Sequence, residues 1–240
     1  MQIFGFETVD SLPALYLEEG DLLVLSDLHL GMEKTMTFRG NYIPRHQLER
    51  IKQDIDKARE ETGALRILIN GDLKNEFKTS HAETEEVEEL LKFLKKDFED
   101  IIVVKGNHDT AVEHLKTDKV KFKDFHMEED RLFIHGHESL DIDAEYNTVI
   151  LGHEHPALSL KDDVGVKEKI DCFLYGETDE LNIIVLPAFS SISNGTSINE
   201  TPQSKLLSPI LREEVDKDNL KAIGVSREAG LLEFPHLKHL

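Results

Sequence analysis

The chain has 240 residues, 39% of them apolar, and a formal net charge of −20 at pH 7. That charge disfavours broad, charge-driven wrapping of nucleic acid, which needs basic surface to neutralise phosphates, and it implies a solvated acidic exterior. The longest apolar runs, Leu22–Leu25, 67–69, 101–104 and 183–186, are far shorter than a membrane span.

The first ten residues have neither a basic start nor an apolar core, so a cleaved secretory signal is not expected. Leu15–Leu17 and Leu22–Leu25 flank Glu18-Glu19-Gly20-Asp21, which predicts a hairpin between two strands. The segment 33–44 is expected to be a loop over the sheet edge. Leu48, Ile51, Ile55 and Ala58 then recur at helical spacing, and that helix should end near Gly63, ahead of a strand over 65–70. Ser80 with Glu83 three residues on spells a capping box for a second helix, whose apolar stripe is Val87, Leu90, Leu91, Leu94 and Phe98. The acidic run 83–89 is expected to be its solvated face. With a strand at 101–104, residues 21–104 predict β-α-β-α-β, a parallel sheet with crossover helices. Beyond about residue 118, short runs at 131–134, 148–151, 169–175 and 182–186 predict β-rich structure. With no repeat and no linker-like stretch, residues 1–240 are expected to form a single domain. The lone Cys172 excludes an intrachain disulfide framework, suits a reducing cytoplasm and is expected to be a buried structural thiol.

Five short clusters follow closely on apolar runs: Asp27-Leu28-His29, Gly71-Asp72, Gly106-Asn107-His108-Asp109, His135-Gly136-His137 and Gly152-His153-Glu154-His155. Asp27/His29 and His153/His155 share an i, i+2 spacing, which on a continuing strand would put both members of each pair on one side. Gly71 would permit close backbone approach. In parallel sheets sites form beyond the carboxyl ends of strands, so these donors can converge there. Oxygen and imidazole donors without thiolate suit manganese, iron or zinc rather than a structural zinc cage. Each cluster alone is weak; an isolated His-Gly-His is better read as one core and one surface histidine. The ordered set is the signal.

In its order D-x-H, G-D, G-N-H-D, H, G-H-x-H, the set resembles the calcineurin-like metallophosphoesterase superfamily over a frame of about 22–190. The spelling of residues 25–31 with Glu33, Arg39-Gly40, Ile43-Pro44, 71–74, 105–109, 186–189 and 207–211 is similar to SbcD-related archaeal phosphoesterases. The resemblance implies an α/β fold, a four-layer αββα sandwich of two mixed β-sheets. It also implies two divalent metal ions, with Mn2+ preferred and Fe, Zn or Ni as alternatives. Asp27, His29 and His155 would hold the first ion, and Asn107, His135 and His153 the second, with Asp72 bridging. His135 is preferred to His137 because the family ligand is usually the first histidine of such a pair. A hydroxide bridging the metals would be the nucleophile. His108 would assist the leaving group, and Asp109 would orient His108 in preference to acting as a helix N-cap.

Protein phosphatases of this superfamily carry Asp-Arg-Gly soon after the bridging aspartate; here Leu73-Lys74-Asn75-Glu76 follows Asp72, so a Ser/Thr protein phosphatase is disfavoured. Asn75 stands where the archaeal group often has histidine. Arg39, Arg45, Lys74 and Lys105 are candidate phosphate contacts, Arg39 foremost, although such residues usually snorkel to solvent. Residues 190–200 would rim the site or form an ordinary surface loop, and Glu154 should point away from its flanking histidines as a solvated or supporting group. The expected activity is that of a cytoplasmic, metal-dependent phosphoesterase acting on phosphodiesters, with DNA or RNA among the candidates and no membrane partner. A small-nucleotide phosphodiesterase or phosphomonoesterase is the alternative. A non-catalytic scaffold of the same fold ranks well behind, because all seven ligands and His108 are present. Oligomeric state is left open.

Overall fold

Strands that are apolar on both faces need cover on both, and that demand sets the layering of this computed structural model. It describes residues 1–38, 40–41, 44–77, 81–142, 144–161, 165–178 and 181–240. Arg39, Ile43 and Ser80, all singled out in the sequence, lie outside these residues.

The first sheet runs in chain order. Strands β1 (Gln2–Ile3), β2 (Phe6–Thr8), β3 (Leu15–Leu17) and β4 (Leu22–Leu25) pair antiparallel, and β5 (Arg66–Asn70), β6 (Asp100–Val104) and β7 (Val120–Lys123) continue from β4 in parallel. The connections carry helices α1 (Met32–Phe38), α2 (Gln47–Thr62) and α3 (His81–Asp97). The second sheet is built from β8 (His126–Glu128), β9 (Arg131–Phe133), β10 (Thr148–Leu151), β11 (Pro156–Lys161), β12 (Lys167–Glu177), β13 (Asn182–Val185) and β14 (Thr196–Ser197). After a short helix α4 (Pro209–Glu213) come β15 (Lys221–Ser226) and β16 (Gly230–His236). Its order is β14-β11-β12-β13-β10-β9-β8, with β15 on β12 and β16 on β15. Strand β10 is parallel to both β9 and β13, whereas β12 is antiparallel to its neighbours.

The strand period of two sorts the core into three layers. Leu23, Leu25, Ile67, Ile69, Ile101 and Val103 face the helices, packing on Ile51, Ile55, Ala58, Val87, Leu90 and Leu94. Their alternates Leu22, Val24, Leu68, Ile102 and Val104 face the second sheet, against Phe133, Ile150, Phe173 and Ile184. The far side of the second sheet packs Val149, Leu151, Cys172, Leu174 and Val185 beneath Ile210, Leu211, Leu220 and Leu237. The architecture is therefore the expected sandwich of two mixed sheets, with a thin fourth layer in which α4 is five residues long. No helix among the described residues is long and apolar enough to cross a membrane.

Two local expectations fail. Segment 33–44 is not all loop, because residues 32–38 form α1. The reason is Glu33, which is buried and accepts the N–H groups of His46 (3.0 Å) and Gln47 (3.1 Å). A carboxylate from α1 thus supplies the N-terminal cap that the His46 side chain does not give α2. Glu83 is likewise not on a solvated face: it is buried, and its carboxylate accepts the N–H of Glu76 at 2.8 Å.

Candidate metal centre

Strands β4, β5 and β6 of the first sheet and β9 and β10 of the second end on the same side, and one buried amide joins them there. Asn70, the last residue of β5, donates through Nδ2 to the carbonyls of Ile134 and Ile150, each at 3.0 Å. Its own carbonyl accepts from His135 Nδ1 at 3.0 Å. This fixes the His135 tautomer with Nδ1 protonated and Nε2 turned to the site.

The donors do not reach the site along continuing strands, as the i, i+2 spacings suggested. The backbone instead turns through the left-handed region at Asp27 (φ 58°), His29 (48°), Asp72 (50°), His153 (66°) and His155 (46°). Non-glycine residues rarely adopt this conformation, and its cost of about 1–3 kcal/mol per residue must be offset by the surroundings. Hydrogen bonds between the turns do so: Asp27 N–H donates to Gly71 O (3.0 Å), His29 N–H to Asp72 O (2.9 Å) and His153 N–H to the Asp27 carboxylate (3.2 Å). Gly71 itself has φ 95°, and a Cβ there would lie 2.0 Å from His135 Nδ1. At Gly106 a Cβ would lie 2.1 Å from Asp72 Oδ1.

Among the described residues the side chains converge as three groups, two with no residue in common and a third that overlaps both. Asp27, His29 and His155 bring their donor atoms together, as do Asp72, His135 and His153; a third grouping joins His29, Asp72 and His108. His155 Nε2 lies 2.9 Å from Asp27 Oδ1 and 3.2 Å from His29 Nε2. Asp72 divides its oxygens. Oδ1 accepts the N–H of His108 at 3.0 Å, while Oδ2 lies 3.3, 3.8 and 3.9 Å from Nε2 of His135, His108 and His29.

Burial opposes a charged Asp27, yet His155, His135 and His29 around it hold its carboxyl well below the usual range. Burial drives His29 and His153 down to about 4, so both present free lone pairs at neutral pH. Burial also opposes charge on His135, but Asp72 and Asp27 prevail and lift it to about 9. An imidazole that holds its proton only because two buried carboxylates need a counter-charge suits displacement by a cation.

The residues present fit divalent metal. Asn107 Oδ1 and His135 Nε2 are buried and make no hydrogen bond. The donor set is imidazole, carboxylate and amide, with Asp27 and Asp72 carrying the negative charge. His137, set aside in the sequence, has its ring 5.4 Å from that of His135 and 6.1 Å from that of His153.

His108 and Asp109 part company. The expected Asp109–His108 pairing is not how the imidazole is held: Asp109 is buried and accepts from the N–H groups of Gly106 (2.9 Å) and Lys74 (3.2 Å). Burial and Asp72 push its carboxyl up to about 6. It clamps the Gly-Asn-His turn to the chain after Asp72, a capping duty. His108 Nδ1 instead meets the carbonyl of Asn75, so the backbone at that position holds the ring whatever its side chain. The ring also stacks on Phe77 at 4.0 Å.

Of the expected phosphate contacts, Lys74 is buried and bonded to the Glu76 carbonyl, and Lys105 pairs with Asp124 (2.7 Å) and Glu113 (3.1 Å). Arg45 is exposed. Glu154 is not solvated: it is fully buried, and Oε2 accepts from Leu207 (2.7 Å) and Ser208 (2.9 Å). The Ser208 hydroxyl donates to Gly136 O at 2.8 Å, so one segment before α4 braces both histidine turns. Gln47 does the same for the first turn, reaching Leu28 O, His29 O and Ser190 Oγ within 3.1 Å. Sequence reasoning missed Asn70, Gln47 and Ser208. Only Asn70 left a signal, a lone amide closing an apolar strand.

Two stacked mixed sheets with aspartate and histidine gathered at their strand ends define the metallophosphoesterase fold. The profile of the calcineurin-like phosphoesterase family matches residues 21–222, and the chain belongs to that family, whose chemistry is phosphoester hydrolysis. Among solved structures, Pseudomonas putida nuclease MPE superimposes with a TM-score of 0.61 at 19% identity, covering 93% of each chain. A protein of unknown function from Aquifex aeolicus, AQ665, matches 56% of this chain and 78% of its own at 18% identity, with a TM-score of 0.34. No curated protein matches the chain.

Proposed function

We propose that the chain is a dinuclear-metal phosphodiesterase. Asp27, His29 and His155 would hold one divalent cation, and Asn107, His135 and His153 the other, with Asp72 between them. The observation that carries this reading is Asp72 Oδ2, which lies 3.9 Å from Nε2 of His29 and 3.3 Å from Nε2 of His135. Bound there, two cations would neutralise phosphate oxygens and lower the pKa of an attacking water. Manganese is the preferred ion on donor chemistry.

The chain's own residues supply the rest. The turn clamped by Asp109 sets the position of Asn107. The carbonyl of Asn75 accepts a hydrogen bond from His108 Nδ1–H and leaves Nε2 directed at the site, 3.8 Å from Asp72 Oδ2. From there His108 protonates the departing oxygen as the phosphorus–oxygen bond breaks.

Nucleic acid is the first candidate substrate, supported by the SbcD-like spelling of the motifs and by the fold shared with a bacterial nuclease. The net charge of −20 favours a second reading, a small-nucleotide diester or monoester, because a long polyanion is repelled by an acidic body. One domain over residues 1–240 and a cytoplasmic setting complete the proposal, on the strength of the core shared between the two sheets and the single buried cysteine. A manganese-supplemented panel of bis-aryl phosphodiester, aryl monoester, cyclic nucleotides and single- and double-stranded DNA tests it. Turnover of diesters above monoesters is expected; no hydrolysis with any divalent metal would point to a non-catalytic scaffold.

A further inference from the structure

The side chain next to His108 is an exposed aromatic ring. Phe77 is 55% exposed, among the most exposed large apolar residues described. One face of its ring is stacked on the His108 imidazole, with centroids 4.0 Å apart and planes 26° from parallel. Its backbone is pinned rather than free: the Phe77 carbonyl accepts from the Thr110 hydroxyl, two residues beyond His108. Asn75, two residues before Phe77, holds His108 Nδ1. The loop thus grips the imidazole from its edge and one face, and presents an aromatic surface to solvent beside the nitrogen that points at the centre. An exposed phenyl ring is unfavourable in water, and covering His108 needs only one of its faces.

We propose that Phe77 is a stacking platform for the leaving side of the substrate, making the enzyme selective for diesters whose departing alcohol carries a flat aromatic group, a nucleobase or an aryl ring. The inference rests on His108 serving the leaving group. A group that His108 protonates must sit against Nε2, and the ring packed on that imidazole offers it an apolar surface. Stacking of a base on an aromatic side chain tolerates any base, so it would select a nucleotide over an aliphatic ester without reading sequence. It needs no cationic surface, in keeping with the acidic body.

The test uses the manganese-loaded full chain and two methyl phosphodiesters, one with phenol and one with an aliphatic fluoro-alcohol of matched acidity as leaving group. Phe77→Leu keeps apolar bulk and removes the flat face. It should lower kcat/KM for the phenyl ester about tenfold more than for the fluoroalkyl ester, and Phe77→Trp should restore the ratio. Equal losses on both esters would overturn the platform and leave Phe77 as a support for His108 alone. A dinucleotide with and without the base on its leaving side decides between sources: discrimination against the abasic form points to a nucleobase, discrimination on the aryl pair only to another aromatic group. His108→Ala separates the two readings. Unchanged turnover there removes the leaving-group role, while the ester ratio in Phe77→Leu still judges the platform. Failure of the wild-type protein to cleave any of these diesters overturns both.

Discussion

On the proposed reading, Asp72 and His108 would divide one small space between binding and proton transfer. Asp72 Oδ1 is committed to the His108 backbone N–H, so only Oδ2 is left to face the imidazoles. His108 sits beside that oxygen but is held through Nδ1 by a backbone carbonyl, a tether independent of any cation. His108→Ala should therefore cut kcat by about 10²–10⁴-fold while metal content, read by elemental analysis, stays near wild type; unchanged turnover would remove it from the mechanism. Gly71 is the complementary case. Its positive φ, and the 2.0 Å that would separate a Cβ from His135 Nδ1, leave no room for alanine. Gly71→Ala should cost about 1–3 kcal/mol in urea unfolding and weaken binding of the cation assigned to His135. Wild-type stability with full metal content would contradict that packing.

At the scale of elements, the parts of the fold set by periodicity are legible in the sequence, and the parts set by tertiary hydrogen bonds are not. Helices α2 and α3 and strands β4 to β6 declare themselves through apolar spacing. Helix α1 does not, because its role is to carry Glu33 to the start of α2. The clustered aspartates and histidines are legible as an ordered ladder, but the left-handed turns at Asp27, His29, Asp72, His153 and His155 are not: outside glycine, a positive φ leaves only a weak statistical mark on residue type. Asp109 misleads because neighbours in sequence need not touch, and its carboxylate finds backbone donors instead. Away from the site, β5 and β8 are joined by Arg66, which meets Glu128 at 2.8 and 2.9 Å. Arg66 is the main cause, against an opposing effect of burial, of a Glu128 carboxyl held down at about 2, below its ordinary value of 4.5. A depressed carboxyl contributes stability above the unfolded value and loses it as pH falls through the folded one. Arg66→Ala should thus destabilise the protein by about 1 kcal/mol at pH 7, the modest figure reflecting partial exposure. The difference should shrink as pH is lowered from 4.5 towards 2 in paired denaturation curves. A gap that stays constant across that window would sink the assignment.

For the whole molecule, the acidic body and the proposed metal centre would act on a polyanion in opposite senses. Proteins that grip DNA through basic surface lose affinity as salt rises. Here the long-range field repels, so screening should help: kcat/KM on a single-stranded oligonucleotide should rise as ionic strength goes from about 0.01 to about 0.15 M, while a small diester changes little. A steep fall on the oligonucleotide would reveal a basic groove despite the net charge of −20. The centre itself is tested most directly by counting metal. Wild-type protein reconstituted with manganese should carry two ions per chain, and Asp72→Asn should lose tight binding of both together with diester hydrolysis. A single ion in the wild type, or two retained in Asp72→Asn, would contradict a dinuclear site bridged by Asp72.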